Sequence, residues 1–185
     1  FLPMVGYSIA PPSNNHESKM DVSRRRFLGG RSPGPAPFRP PWSVAEAAFL
    51  DRCSRCDDCL AACPTGLLKR GQGGYPEADF ADAACTFCGD CAAACATGAI
   101  GRDTTQKPWS FGIAIGAGCL AAQNVECRVC GEACDADAIR FRPRIGGVPL
   151  PDVDNAACTG CGACIAPCPV VAVTRTVLNP APESP

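Results

Sequence analysis

Sixteen cysteines in 185 residues define the chemistry open to this chain. The first group is Cys53, Cys56, Cys59 and Cys63, and the second is Cys85, Cys88, Cys91 and Cys95. The third is Cys119, Cys127, Cys130 and Cys134, and the fourth is Cys158, Cys161, Cys164 and Cys168. Groups one, two and four share the spacing C-x2-C-x2-C-x3-C, while group three reads C-x7-C-x2-C-x3-C. Such runs hold 4Fe–4S cubanes. A cubane offers four iron corners, each needing one thiolate. Three closely spaced cysteines let a tight loop wrap three corners. The fourth cysteine points away and ligates the other cluster of a pair.

Other uses of cysteine fit less well. Disulfides suit secreted chains, yet no cleavable signal is evident and the motif is too regular. Zinc favours two separated C-x2-C knuckles, and three cysteines within seven residues crowd one tetrahedral ion. Haem attachment needs C-x-x-C-H, and the one histidine is His16, in a polar stretch. A Rieske centre needs two histidine ligands.

Crossing the fourth ligand gives four expected sets. Cluster I takes Cys53, Cys56, Cys59 and Cys95. Cluster II takes Cys85, Cys88, Cys91 and Cys63. Cluster III takes Cys119, Cys127, Cys130 and Cys168. Cluster IV takes Cys158, Cys161, Cys164 and Cys134. Group three is the exception, since Cys119 lies five residues earlier than the repeat requires. Residues 120–126 must loop out, which costs little entropy. The proline that usually follows the fourth cysteine is present as Pro64 and Pro169, and is replaced by Ala96 and Asp135 elsewhere.

The elements that hold these loops come from an internal duplication. A shift of 32 carries group one onto group two, with Thr65-Gly66 repeated as Thr97-Gly98. A shift of 73 carries residues 73–100 onto 146–173 with 14 of 28 positions identical, so the repeat extends beyond the ligands. The expected fold class is α+β: tandem bacterial-ferredoxin-like modules, each binding two 4Fe–4S clusters. Residues 43–104 form the first module and 105–178 the second, followed by a tail at 179–185. Residues 1–42 form a basic, Pro-rich arm expected to be disordered, with 1–19 an upstream extension before Met20. Ser43 and Glu46 suggest a capping box opening a helix toward Asp51. Short helices are expected after Cys59, Cys91, Cys130 and Cys164. Strands are expected at Trp109–Ile115, Ile139–Arg142 and Val171–Val177, and turns at Gly71–Gly74 and Gly146–Gly147.

Composition narrows the function further. Leu, Ile, Val and Phe total 35 residues, too few for a large apolar core, so bound metal must supply cohesion. No apolar run is long enough to span a membrane. The net charge of −1 does not point to nucleic acid. Four clusters, each about −2 with its thiolates, would carry the folded chain toward roughly −9. No nucleotide fingerprint is present, and the sixteen cysteines leave no open metal position. An electron-transfer or assembly protein without its own substrate site is expected.

Ser23-Arg24-Arg25-Arg26-Phe27-Leu28 matches the core of a twin-arginine signal. The following Gly29-Gly30-Arg31-Ser32-Pro33 is not apolar, so an exposed basic arm is the simpler reading. Arg24, Arg25, Arg26, Phe27 and Leu28 are candidate partner contacts. That segment, Arg39-Pro40-Pro41-Trp42-Ser43, Gly73-Gly74-Tyr75-Pro76 and the odd third group together resemble the NapF ferredoxin-type family over about residues 20–180. The resemblance implies a cytoplasmic accessory of periplasmic nitrate reduction that acts on the catalytic subunit before export. Redox support or cluster delivery would be its role. A general ferredoxin and an iron–sulfur subunit of a larger reductase are the alternatives.

Overall fold

The computed structural model describes residues 37–109 and 111–177. The arm residues Arg24–Leu28 lie outside this range. The elements are α1 (Glu46–Arg52), α2 (Asp58–Ala61), β1 (Leu68–Arg70), β2 (Pro76–Ala78), α3 (Asp90–Ala93), β3 (Phe111–Ile115), α4 (Val129–Glu132), β4 (Ile139–Arg144), β5 (Gly147–Val153) and β6 (Val173–Val177). Every helix is short, because each cysteine loop interrupts the chain.

Three antiparallel pairs form: β1 with β2, β4 with β5, and β3 with β6. The β4–β5 ladder slips between Arg142 and Arg144. Pro143 lies between them and has no N–H to give a ladder. Gly146, with φ +71°, supplies the left-handed turn residue of this hairpin. β3 and β6 run in register from Phe111↔Val177 to Ile115↔Val173. The first half closes at its corresponding place with a single bridge, Ser43↔Ile100. Pro40 and Pro41 precede that bridge and lack the donors to extend it.

α1 does not begin at a capping box. Its N-cap is Ala45, with no side-chain cap. Ser43 Oγ donates instead to the Pro40 carbonyl at 2.8 Å. Glu46 receives the Arg39 guanidinium on both oxygens, at 2.7 and 2.9 Å. An ion pair with the preceding segment thus outcompetes the cap. α1 buries Phe49 completely, a burial worth about 1.5–3 kcal/mol. Arg39 stacks over Phe49 and Tyr75, at 4.9 and 5.2 Å from their ring centres.

The fourth expected short helix is also absent. Residues 163–167 form turns. In the other three groups Ala62, Ala94 and Ala133 donate backbone N–H bonds four residues back, to Asp58, Asp90 and Val129. The equivalent position after Cys164 is Pro167, which has no N–H to donate.

Small apolar layers sit behind the cysteine loops. Leu67, Leu68, Ala99 and Ile100 are buried in the first half, and Ala138, Ile139, Ala172 and Val173 in the second. An aromatic cluster joins the halves. Phe38 lies 4.8 Å from Phe111, 5.3 Å from Trp109 and 5.6 Å from Phe80. Arg175 caps Phe38 at 4.2 Å. The indole N–H of Trp109 donates to the Arg39 carbonyl at 3.0 Å, which satisfies a buried donor.

Candidate metal centres

The folded chain gathers cysteines into three sets that cross between groups. Cys53, Cys56 and Cys59 share a cavity with Cys95. Cys85, Cys88 and Cys91 share another with Cys63. Cys158, Cys161 and Cys164 share a third with Cys134. Cys119 and Cys127 lie close enough to Cys130 to help raise its thiol. Among the described residues, no three His, Cys, Asp or Glu side chains converge on a single ion. The thiols of the three crossed sets line cavities instead.

The loops of groups one, two and four are made by backbone that ordinary residues rarely adopt. Arg55, Asp57 and Phe87 have positive φ, as do Gly89, Gly160 and Gly162. These left-handed residues reverse the chain between successive ligands. After the fourth cysteine, Gly66, Gly98, Asp137 and Val171 also have positive φ. The repeated Thr-Gly pair now has a physical reason. Gly supplies the turn, and the Thr65 and Thr97 hydroxyls sit 3.6 Å from Cys63 Sγ and Cys95 Sγ.

The cysteines are electrostatically unequal. The third one of each group, Cys59, Cys91, Cys130 and Cys164, is buried. Burial pushes the thiols of Cys59 and Cys91 up to about 11 and that of Cys164 up to about 12. Burial also raises Cys130, with help from Cys119 and Cys127. Cys85 is raised to about 11, again chiefly by burial. The fourth cysteines Cys63, Cys95 and Cys168 behave oppositely. At Cys63, burial is outweighed by the Leu68 N–H, the Thr65 hydroxyl and the Leu67 and Thr65 N–H groups, so its thiol lies below the ordinary value. Cys95 and Cys168 follow the same pattern, burial opposed by backbone N–H groups of the next turn. The Ile100 N–H reaches Cys95 Sγ at 3.4 Å and the Ala172 N–H reaches Cys168 Sγ at 3.2 Å. Such nests favour thiolate, the form that binds metal.

These residues fit iron–sulfur clusters. Soft thiolates line cavities with apolar walls, and backbone N–H groups already point at sulfur. In the second cavity the Phe87 N–H lies 3.4 Å from Cys85 Sγ.

Asn124 has a role that spacing alone did not reveal. It occupies the position where the duplication would put the first ligand of group three. Its Oδ1 accepts from Arg144 at 3.0 Å and from the Val148 N–H at 3.2 Å. It thereby ties the looped-out segment to the β4–β5 hairpin. Asn155 acts similarly, accepting the Ile113 N–H at 2.9 Å. Neither is a ligand type, and only the fold brings their hydrogen bonds into view.

The two halves meet at ligand loops. The Cys85 N–H donates to the Cys161 carbonyl at 2.9 Å, so the second and fourth cysteine groups adjoin. Within the second half, Lys107 braces the chain just before the fourth cysteine group by donating to the Ala156 carbonyl at 3.2 Å.

Comparison with known proteins agrees with the duplication. The 4Fe–4S dicluster domain family matches twice, at residues 52–99 and 125–172. The ferredoxin-type protein NapF of Escherichia coli K12 is 44% identical over 165 residues, covering 87% of this chain and 98% of its own. The ferredoxin-type protein NapF of Haemophilus influenzae is 50% identical over 142 residues, covering 77% and 80%. The methylamine utilization ferredoxin-type protein MauM of Paracoccus denitrificans is 36% identical over 155 residues, covering 71% and 66%. Identity at this level extends well past the ligand motifs, and the chain belongs to the NapF family of ferredoxin-type, 4Fe–4S proteins.

Proposed function

We propose that this chain carries four 4Fe–4S clusters and passes single electrons through them. Cys53, Cys56, Cys59 and Cys95 hold the first, and Cys63, Cys85, Cys88 and Cys91 the second. Cys119, Cys127, Cys130 and Cys168 hold the third, and Cys134, Cys158, Cys161 and Cys164 the fourth. When bound, each cluster supplies a one-electron couple. The chain's own residues space the sites, exclude water and aim N–H groups at sulfur.

One observation carries the electron-transfer reading: the Cys85–Cys161 backbone bond, 2.9 Å long. It couples the ligand loops of two different modules. An electron entering one module thus has a short path into the other. Exposed Cys56 and Cys88 offer surfaces where a partner centre can approach.

In the finer reading the protein works in the cytoplasm. It binds the catalytic subunit of periplasmic nitrate reductase before export and supports maturation by reduction or cluster delivery. The likeness to NapF proteins supports this. Arg24, Arg25, Arg26, Phe27 and Leu28 are the proposed partner contacts. The methylamine-utilization relative favours a second reading, a ferredoxin for another redox enzyme. Anaerobic capture from nitrate-respiring cells separates the two. Recovery of the nitrate reductase catalytic subunit, lost gradually with added salt and with R24A/R25A, supports the first. Recovery of a different reductase alone overturns it. Cleaved protein in the periplasm would overturn the cytoplasmic assignment.

A further inference from the structure

Trp42 carries a donor that the protein itself does not use. Its Nε1 is buried and has no hydrogen-bond acceptor among the described residues. Buried indole N–H groups normally find a partner, as Trp109 does on the Arg39 carbonyl. Trp42 is also held in an unusual backbone conformation, φ +58°, costly for a bulky residue and often met at functional positions. The Trp42 N–H donates to the Pro108 carbonyl and its own carbonyl accepts from Gly101, both at 3.0 Å. Arg102 lies over the indole at 5.6 Å. The same Arg102 donates to the Cys88 carbonyl at 2.9 Å, so ring and ligand loop are clamped together. Phe87 packs edge-on to the indole at 6.4 Å.

Trp42 lines two spaces. One is a wide cleft with Arg39, Asp103 and Lys107. The other is the cavity of Cys63, Cys85, Cys88 and Cys91. An N–H aimed into the wide cleft would meet water, whereas this one is shielded. We propose that the Trp42 indole N–H is a hydrogen-bond donor to a sulfur of the cluster in the Cys63, Cys85, Cys88 and Cys91 cavity. The acceptor class is a soft anionic sulfur, either thiolate or bridging sulfide. This inference rests on that cavity holding a 4Fe–4S cluster.

The consequence is a difference between clusters. A donor to sulfur stabilises the added negative charge of the reduced state and raises the potential. Among the described residues, the Cys53–Cys95 cavity is lined by Phe49 and Ile100, and the Cys134–Cys164 cavity by Ile113, Ile139 and Val153, neither with an indole. Trp42 therefore shifts the potential of the cluster in the Cys63, Cys85, Cys88 and Cys91 cavity upward, a contribution the two cavities without an indole lack. Trp42 acts here as a positioning and tuning residue, not a ligand.

Trp42→Phe keeps a ring against Phe87 and Arg102 and removes only the N–H and the second ring. The test is an anaerobic potentiometric titration of the full chain, followed by EPR, with dithionite as reductant. Iron is counted first. The expected result is unchanged iron with one transition moved lower and the others unmoved. Unchanged iron with every transition unmoved overturns the inference while leaving the cluster assignment intact. Absence of iron from that cavity in the unmodified protein overturns the assignment itself. If Trp42→Phe loses iron, the unmodified protein labelled with 15N-indole decides. Coupling of 15N to the reduced cluster, retained in Trp109→Phe, supports the bond, and no coupling overturns it.

Discussion

The backbone N–H of Cys85 donates to the carbonyl of Cys161, 2.9 Å away, although 76 residues separate them (161 − 85). Two modules made by duplication are thus joined at the loops that carry their ligands. Close packing makes the join possible. Gly162, with φ +76°, lies against the Phe80 ring of the other half, and a Cβ there would overlap the ring.

Gly162→Ala should therefore loosen the join. It adds overpacking, about 1–3 kcal/mol, to the strain of a left-handed alanine. Gly66→Ala is the control, since it has φ +65° but nothing within 4 Å of an added Cβ. Its cost is the backbone strain alone, about 1–2 kcal/mol. Urea midpoints followed by circular dichroism should fall further for Gly162→Ala. Equal losses would show that the Phe80 contact adds nothing.

Crossover of the fourth ligand gives a second expectation. Cys63 shares its cavity with Cys85, Cys88 and Cys91, and Cys95 shares its cavity with Cys53, Cys56 and Cys59. Cys63→Ser should perturb the EPR signal of the second-group cluster and spare that of the first. Cys95→Ser should do the reverse. If each substitution disturbs only its own group, every motif closes its own cubane and the pairing is wrong.

Much of this site was legible in the sequence because ligand geometry is encoded locally. Spacing between Cys53, Cys56 and Cys59 is enough to define a wrapping loop, and the duplication predicts where loops recur. The structure departs from the sequence reading where distant residues or a missing donor intervene. Glu46 pairs with Arg39 rather than capping α1, and Pro167 removes the bond that would make a helix after Cys164. The strands β1, β2 and β5 escaped notice because they are short or carry prolines. Asn124 and Trp42 act through contacts with segments far along the chain, which no local pattern records.

The Arg39–Glu46 pair makes stability depend on pH in a definite direction. The hydrogen bond from Arg39 holds the Glu46 carboxyl below its ordinary range. A carboxylate lowered on folding contributes stability above its unfolded pKa and loses it as pH falls through the folded value. Because Glu46 is exposed, the contribution is about 0.2–1 kcal/mol. Glu46→Gln should be less stable than the unmodified protein at pH 7, and the gap should close on acidification below the ordinary carboxylate range. A gap that stays constant with pH would assign the effect to packing.

Metal removal should unfold most of the chain. With 35 Leu, Ile, Val and Phe residues, the apolar layers are thin, and cluster binding becomes folding free energy. Chelation under oxidising conditions should abolish native circular dichroism and expose the chain to protease. A stripped sample that resists protease would show that the two apolar layers suffice.

Counting iron and acid-labile sulfide per chain after anaerobic purification tests the central claim most directly. Four cubanes predict about sixteen of each. A reproducible value near twelve would remove the site built on Cys119, and zinc in place of iron would contradict the whole account.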